Sequence, residues 1–443
     1  MWTSVRAQIR PLRALGTILI GVTGAVLALQ SSGALQLLET AVLDRWFRLR
    51  PPESRESRVV IVTIDEADIS RLGRWPMSDA TLAKLITKLQ THQPALIGLD
   101  LYRNLPVKPG HQELLNVFAS TPNLIGIQKA LSDANGSTVE PPPVLRERNQ
   151  VAASDLVLDA DGKVRRNLLS VRVSETSLQG TDQSKTKLTL GLKLALAYLE
   201  AQNIRPQSTG KDGILKLGKA QFLPLKENEG GYVRADVGGY QILANFHRLH
   251  GGFPKISLTD VLEDRVPANL MQGRIVLIGT AAHSLGDKFY TPYTTDARTV
   301  WMGVEIHADL ASQILCAVLD GRQLLKGLPE PLGWLWILLW SSIGMVLGWK
   351  IRSLRWAVIA IPTVSGSLIA SPYLFFLAGW WVTMASPLLA LVSAGITSRS
   401  YLLWKNLQLS HQGIRKLCPN PGTESLRAHS GTPGKRTLFT QHL

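Results

Sequence analysis

The sequence predicts a mixed α/β fold class, in which a mainly parallel sheet with an antiparallel insertion forms an extracytoplasmic domain held by four transmembrane helices. Three observations support this prediction. Long runs without any charged residue flank a polar central body. Within that body, β-branched apolar runs alternate with segments of helical spacing, which is typical of a parallel sheet. Finally, Asp161-Gly162 separates apolar runs in the middle of the body, and an Asp-Gly pair in that context indicates a β-hairpin.

The membrane anchors are predicted from charge-free length. Residues Trp356–Ser398 contain no charged residue and no histidine. A helix rises about 1.5 Å per residue and a bilayer core is about 30 Å thick, so this run is too long for one crossing and right for two. The predicted segments are a cytoplasmic N-terminus at 1–13, transmembrane helices at 14–38, 331–349, 356–378 and 380–398, an extracytoplasmic domain at 39–330, and a short basic cytoplasmic tail at 399–443.

Positive residues beside the spans predict the orientation, because short loops rich in Lys and Arg stay cytoplasmic. These residues are Arg6, Arg10 and Arg13 before the first span, Lys350, Arg352 and Arg355 between the second and third, and Arg399 and Lys405 after the fourth. Only four spans place all three groups on one side of the inner membrane, with both termini cytoplasmic. A cleaved signal peptide ending near Ser32-Gly33-Ala34 is the alternative, but the long apolar run at 14–38 favours an uncleaved anchor.

The formal net charge of +15 does not indicate a nucleic-acid partner. Most of this excess lies in the predicted cytoplasmic segments, where it faces anionic lipid. Of the cysteines, Cys316 is expected outside the membrane and Cys418 inside, so they cannot pair and no disulfide framework is expected.

The first half of the body is predicted to alternate between strand and helix. The elements are a strand at Val59–Asp65, a helix at Ala80–Leu89, a strand at Leu96–Leu101, a helix at Gln112–Ala119 and a strand at Leu124–Gln128.

The second half begins with the hairpin and ends with a long helix. The elements are hairpin segments Ser154–Asp159 and Val164–Val173, a polar surface loop at Ser174–Lys187, a helix at Leu188–Glu200, strands at Ile214–Leu217, Gln241–Phe246 and Arg274–Gly279, and a helix at Val304–Leu319 closed by Gly321.

Polar residues gather just past the ends of the predicted strands. They are Asp65, Asp100, Arg103, Thr280, His283 and Asp287. In open α/β sheets, ligands bind outside the carboxyl ends of the strands, so this edge is the predicted ligand-binding site. The alternative for each residue is that it caps the following helix or stabilises a turn.

A metal site at Glu305, His307 and Asp309 with His283 is not expected. At about 100° per residue, His307 points away from the face that Glu305 and Asp309 share, so His307 is interpreted as a core or interface histidine. Phosphate-binding, nucleotide-binding, nucleophile-elbow and zinc-protease motifs are absent from the sequence, so no catalytic residue and no cofactor is expected. The charge-free spans also do not indicate an ion or proton path.

Several ordered segments resemble the CHASE2 extracytoplasmic sensory domain of bacterial receptors. They are Val59–Glu66, Leu72–Pro76, Ile97–Asp100, Asp161–Arg166, Ile275–Ala282 and Gly303–Ala308, and the resemblance covers most of Leu43–Arg322. The family has one helix before this domain and three after it. The resemblance implies a sensor of a small-molecule or envelope stimulus that has not been established, coupled to a cytoplasmic kinase or nucleotide cyclase, without a catalytic residue of its own.

The tail after Lys405 departs from this family pattern, because 38 residues rich in Pro, Gly, Ser and Thr are too few and too polar for an effector domain. We expect either a separate cytoplasmic partner or a truncation or frame shift near His411, with the abrupt change in composition favouring truncation. The other expected partners are membrane lipid and a second copy of the chain.

The leading hypothesis is a membrane-anchored sensor that signals through the helix carrying Glu305 and His307, since this helix ends within a dozen residues of the second span. Two alternatives remain open from the residues alone. One is an exported hydrolase that uses Asp65, Asp100, His283 and Asp287. The other is a purely structural envelope protein.

Overall fold

The computed structural model describes residues 2–53, 57–132, 136–176, 182–209, 213–248, 252–296, 299–351 and 353–417. Arg352, Cys418 and the tail beyond it lie outside the described residues, as does 177–181 of the predicted polar loop. The described residues group into two compact units. The larger comprises Ala25–Ile337 and Pro362–Leu388, and the smaller falls within Met1–Gly24, Leu338–Ile361 and Leu389–Leu443.

The helices of the described chain are α1 Trp2–Ser31, α2 Gln36–Leu49, α3 Glu66–Leu72, α4 Asp79–Thr91, α5 His111–Ser120, α6 Pro143–Glu147, α7 Leu190–Glu200, α8 Leu258–Leu262, α9 Gly303–Leu315, α10 Glu330–Lys350, α11 Leu354–Leu377 and α12 Ala385–Leu417.

The strands are β1 Val59–Ile64, β2 Leu96–Asp100, β3 Leu124–Gln128, β4 Val151–Ala153, β5 Arg166–Thr176, β6 Asp182–Leu188, β7 Pro206–Thr209, β8 Ile214–Leu217, β9 Ala220–Phe222, β10 Tyr240–Leu243, β11 Lys255–Ser257, β12 Ile275–Thr280, β13 Lys288–Phe289, β14 Trp301–Met302, β15 Lys326–Gly327 and β16 Trp380–Trp381.

The larger unit is built on a parallel sheet, as the β-branched runs predict. Its strand order among the described residues is β11-β1-β12-β2-β3-β4, and every neighbouring pair is parallel. The central strands β1 and β12 are buried along their whole length, because apolar helices cover both faces of the sheet. On one face lie α7 and α9, and on the other lie α4, α5 and α8.

The predicted antiparallel insertion is present, but part of it was assigned wrongly. The polar segment Ser174–Lys187 is predicted as a surface loop, but its described parts, Ser174–Thr176 and Asp182–Lys187, belong to β5 and β6, which pair antiparallel from Ser170↔Leu188 to Thr176↔Asp182. Backbone hydrogen bonds carry this hairpin beyond its apolar base, and they do not require apolar side chains. The Asp161-Gly162 turn is confirmed by a φ of +77° at Gly162, although Ser154–Asp159 contributes only a bridge at Val157.

The helix predicted at Val304–Leu319 is confirmed as α9 followed by a π-helical turn at Cys316–Asp320. Gly321 ends it in the left-handed conformation with a φ of +71°, as a terminal glycine predicts. The neighbouring strand β12 packs tightly on α9, since a Cβ at Gly279 would lie 2.5 Å from the Cβ of Val304. Gly279 is therefore required by close approach, and it pairs with Asp100 of β2 at the same sheet edge.

Within the described residues, three helical segments are long and apolar enough to cross a membrane: Arg13–Ser31 in α1, Glu330–Lys350 in α10 and Arg355–Leu377 in α11. The first predicted span, 14–38, is too long, because the chain turns at Gly33 with a φ of +84° and α2 begins at Gln36. The predicted fourth span, 380–398, is not among these three segments; Trp380–Trp381 forms β16 beside β15, and α12 begins at Ala385.

The smaller unit contains a close approach of α10 to α12. A Cβ at Gly344 would collide with the carbonyl oxygen of Leu391, and a Cβ at Gly348 would collide with that of Gly395. Small residues four positions apart are typical of tightly packed membrane helices. The apolar helices therefore pair through backbone contact at these glycines.

Candidate functional site

Strands β2 and β12 are neighbours, but the chain leaves them toward opposite faces of the sheet. After β2 the chain continues to α5 on one face, and after β12 it continues to α9 on the other. Such a switch point leaves a crevice outside the strand ends, which is the usual ligand site of open α/β sheets. Here the crevice is a cavity of about 500 Å³, which we call the strand-end cavity. Its polar lining includes Asp100, Arg103, Ser154, Thr280, Asp287 and His307.

Asp100 is the most unusual group of the strand-end cavity. Its side chain is only 8% exposed, and no described residue donates a hydrogen bond to its carboxylate. The Nε2 atom of His307 lies 3.9 Å from the Oδ1 atom of Asp100. Burial raises the pKa of Asp100 to about 7, because a carboxylate loses its hydration in this position.

Asp287 and Thr280 also line the strand-end cavity. The Oγ1 atom of Thr280 donates to the Oδ2 atom of Asp287 over 3.3 Å. Gly303 at the start of α9 leaves room for this carboxylate, since a Cβ there would lie 2.8 Å from its oxygens. Burial raises the pKa of Asp287, and the neighbouring charge of Asp100 raises it further.

His307 enters the cavity from α9 and is 2% exposed. Burial lowers its pKa to about 4, with the negative charges of Asp287 and Asp155 acting weakly in the opposite direction. The imidazole is therefore neutral at physiological pH. As helical geometry predicts, its neighbours on α9 point elsewhere: Glu305 pairs with Lys255 and Asp309 with His247.

Arg103 is buried in the wall with a side chain that is 3% exposed. Its Nη1 atom lies 3.7 Å from the Oδ1 atom of Asp79, and neither its Nε nor its Nη1 atom has a hydrogen bond to a described residue. Asp79 is itself held by the backbone N–H of Val107 over 3.1 Å and by the ring of His111 over 2.8 Å. The charge of Arg103 is thus faced by Asp79 within the wall.

The other predicted site residues lie outside the cavity lining. Asp65 is the N-cap of α3 and accepts a hydrogen bond from the backbone N–H of Asp68 over 2.9 Å. His283 is exposed in the short 3-10 turn His283–Leu285. Glu305 accepts a hydrogen bond from the backbone N–H of Met302 and caps α9. For Asp65 and Glu305, capping accounts for the side chain's position.

Sequence reasoning missed several members of the lining. Trp75, Tyr102 and Phe289 supply aromatic surface, and the hydroxyl of Tyr102 lies 2.8 Å from the Oγ atom of Ser154. Ser154 directly follows β4, a strand too short to be recognised from its sequence. Had β4 been recognised, the strand-end rule would have found Ser154.

A second functional element is the carboxylate of Glu39 on α2, which is 1% exposed. It accepts hydrogen bonds from the backbone N–H groups of Met384, Ala385 and Ser386 over 2.8 to 3.1 Å, and from the hydroxyl of Ser386 over 2.9 Å. Glu39 therefore caps the start of α12 from another helix. Burial raises its pKa, and these hydrogen bonds oppose that rise.

The same helix is bound to the body through Asp44, which is 2% exposed. Arg165 forms a bidentate pair with it, with distances of 2.7 Å from Nε and 3.0 Å from Nη2, and Lys163 adds a further ion pair. Arg165 also bonds Asp159 and Asp161 beside the hairpin turn. The Asp161–Arg166 segment thus forms the surface to which α2 is bound by ion pairs.

Comparison with known proteins places this arrangement in a family. A family model described as CHASE2 domain matches residues 21–346, which include α2, the parallel sheet, the strand-end cavity and most of α10. No curated protein and no solved structure matches the chain.

The pKa of Asp100 predicts a pH-dependent difference between wild type and Asp100→Asn. Between about pH 4 and about pH 7 the folded state holds a proton on Asp100 that the unfolded state has released, so wild type loses stability as the pH rises through this window. Asn has no such proton. Within this window the free energy of unfolding of Asp100→Asn should therefore rise relative to that of wild type by up to about 1.4 kcal/mol per pH unit, and above about pH 7 the difference should stay constant.

The measurement is the unfolding midpoint of the full-length protein in nanodiscs across this pH window. Asp287 titrates in both proteins, but Asp100→Asn removes the charge that raises the pKa of Asp287, so this coupling adds to the gain of the variant. Asp65→Asn, outside the cavity, is the matched control. If the unfolding midpoints of wild type and Asp100→Asn differ by the same amount at every pH, a raised pKa at Asp100 is contradicted.

Replacing Glu39 should detach the start of α12 from α2. Glu39→Ala leaves buried N–H groups without acceptors, so we expect a loss of about 3 kcal/mol or more. Glu39→Gln should lose less, because one side-chain oxygen can still accept. The measurement is thermal unfolding and trypsin sensitivity in nanodiscs. Glu113→Gln, at an exposed position of α5, is the control. Equal stability of Glu39→Ala and wild type would show that this contact is dispensable.

Proposed function

The chain belongs to the CHASE2 domain family, and from this premise we propose that it is a membrane-anchored extracytoplasmic sensor that binds a small molecule in the strand-end cavity and passes the signal through its transmembrane helices. The observation that carries this proposal is the buried carboxylate of Asp100, which faces a cavity of about 500 Å³ without a hydrogen bond from the described residues. A bound molecule would supply the missing donor.

The geometry supports binding better than catalysis. An exported hydrolase built on Asp65, Asp100, His283 and Asp287 would need these groups around one substrate, whereas Asp65 caps α3 and His283 is exposed on a turn away from the cavity lining. That alternative therefore finds no support. CHASE2 domains are sensory, and a non-enzymatic role agrees with this family.

The route of the signal begins at α9, which presents His307 to the cavity and continues through the Cys316–Asp320 turn toward α10. Between α9 and α10 lies β15, which pairs in parallel with β16, the strand that precedes α12. A shift of α9 on ligand binding would reach the entrances of α10 and α12 together. Such helix shifts are a common means of switching.

The second link runs through α2. Arg322, just after α9, forms a bidentate pair with Glu53, with both distances at 2.7 Å, and donates to the carbonyl of Asn245. Glu53 follows α2, whose Glu39 caps α12. The first anchor and the last helix are thus both tied to the segment that leaves α9. We propose that this joint is the output of the sensor.

The proposed topology has four spans in the inner membrane, with both termini cytoplasmic and residues 39–330 outside. Three helical segments have the length and composition of spans, and α12 is proposed as the fourth because it packs on α10 through Gly344 and Gly348. The signal would then reach a cytoplasmic kinase or nucleotide cyclase, the usual effectors of this family.

This topology is tested with alkaline phosphatase fused after Lys187, Ser353 or Lys405. The fusion after Lys187 should be active, because it lies in the extracytoplasmic domain, and the other two should be inactive. A cytoplasmic reporter at the same positions gives the complementary control. Phosphatase activity after Lys405 would rule out the four-span arrangement.

Ligand binding is tested by native mass spectrometry of the full-length protein in nanodiscs, incubated with a deproteinised extract of the cells that produce it. Wild type and Asp65→Asn should retain a small molecule and rise in unfolding midpoint, whereas Asp100→Asn should fold but show neither effect. Identical behaviour of wild type and Asp100→Asn would remove the strand-end cavity as the sensing site.

A further inference from the structure

The strand-end cavity contains two carboxyl groups, Asp100 and Asp287, that no cationic side chain of the described residues contacts. Among the described residues, no Lys or Arg nitrogen lies within 4.0 Å of the carboxylate of Asp100 or Asp287. His307 is near both, but its burial keeps the ring neutral at physiological pH. The cavity therefore offers carboxylate oxygens to its occupant without a cation of its own beside them.

The one buried cation of the wall is already faced by an anion. Arg103 lies 3.7 Å from Asp79, and the side chain of Asp79 is 1% exposed. The charges of Arg103 and Asp79 offset each other across this gap, whereas Asp100 and Asp287 have no such partner among the described residues. Burial makes both carboxyl groups hold a proton more tightly, and a cationic occupant would stabilise their ionised form.

Two features of the cavity favour an organic ammonium over a metal ion: the number of groups that could ligate a metal, and the aromatic side chains of the lining. Within the described residues, no group of three or more His, Cys, Asp or Glu side chains is arranged to hold a metal ion. The cavity instead combines its carboxylates with the aromatic side chains of Trp75, Tyr102 and Phe289. Aromatic faces attract alkylammonium groups, and an ammonium has three N–H donors for separate oxygens.

The volume is suited to an organic molecule. About 500 Å³ is much larger than a water molecule, whose share of liquid volume is about 30 Å³. Asp100 ends β2, Asp287 lies beside the start of α9, and Trp75 and Tyr102 belong to the same lining. There is thus room for a charged head and a short carbon chain.

We propose that the ligand of the strand-end cavity is a small molecule with a primary ammonium group, which binds between Asp100 and Asp287 and lays its carbon chain against Trp75 and Tyr102. This inference rests on the proposed function, because it specifies the ligand class of the same cavity. The ammonium donates to Asp100, to Asp287 and to the carbonyl or hydroxyl oxygens beside them, and it gives the buried carboxylates the partner they lack.

The experiment uses three probes of equal length: 4-aminobutanol, which is cationic, 1,4-butanediol, which is neutral, and 4-hydroxybutyrate, which is anionic. Each is added at millimolar concentration to the full-length protein in nanodiscs, and the unfolding midpoint and the tryptophan fluorescence are recorded. We expect 4-aminobutanol to raise the midpoint of wild type by a few degrees and to change the fluorescence, while the other two probes do neither.

The variants locate the effect. Asp100→Asn and Asp287→Asn should each lose the response to 4-aminobutanol, whereas Asp65→Asn, a strand-end carboxylate outside the cavity, should keep it. Because the three probes are compared on wild type alone, the inference stays testable even if a variant does not fold. Absence of a response to 4-aminobutanol, or the same response in Asp100→Asn as in wild type, overturns the inference.

Failure of this inference and failure of the proposed function have different signatures. If the diol or the acid stabilises wild type but not Asp100→Asn, the cavity remains the sensing site and only the ammonium class is wrong. If no molecule in the cell extract binds in a manner that depends on Asp100, the proposed function itself fails.

Discussion

The structure depends on a short helix with two buried carboxylates. Glu39 and Asp44 lie on α2, and each would be costly to bury without partners. Each is fully engaged, Glu39 by the N–H groups that begin α12 and Asp44 by the guanidinium of Arg165. Because these partners are far apart in the chain, α2 holds the Asp161–Arg166 segment and the start of α12 at one point.

The strand-end cavity presents the opposite situation. Asp100 is as inaccessible as a core residue, yet it has no hydrogen bond from the described residues, and its pKa rises to about 7. The complete hydrogen bonding of Glu39 and Asp44 contrasts with this, and the contrast supports the proposal that Asp100 pairs with an occupant of the cavity. Groups that break the rule of satisfied burial are expected at functional sites. The cavity also borders α9, which presents His307 to it.

Between these two sites the structure is stiff. Gly279 allows β12 to approach α9 closely, and α9 is buried along almost its whole length. A closely packed helix moves as a unit, because its side chains cannot rearrange independently. Its continuation carries β15, and the parallel pair of β15 with β16 places the entrances of α10 and α12 side by side. This connection supports the proposed output of the sensor, in which a shift of α9 reaches both helices.

The sequence by itself determined the elements whose signals are local. The β-branched runs at β1, β2 and β12 predicted buried parallel strands, and Gly321 predicted the end of the helix after α9. The expectation that Asp100 and Thr280 lie at one sheet edge followed from the rule that parallel strands end at one edge, and their strands are neighbours. The family resemblance rested on several such segments and was correct. These conclusions needed only periodicity, turn chemistry and order along the chain.

Only the tertiary structure decided which strand-end residues share a cavity. Asp65 and Asp100 have the same local context, but the chain after β1 turns into a capped helix, whereas the space beside Asp100 stays open. The polar hairpin of β5 and β6 had no apolar signal, because backbone pairing forms it. Glu39 was missed for a similar reason, since its partners lie 345 to 347 positions away. Convergence of distant residues depends on sheet order and helix packing, which no local pattern records.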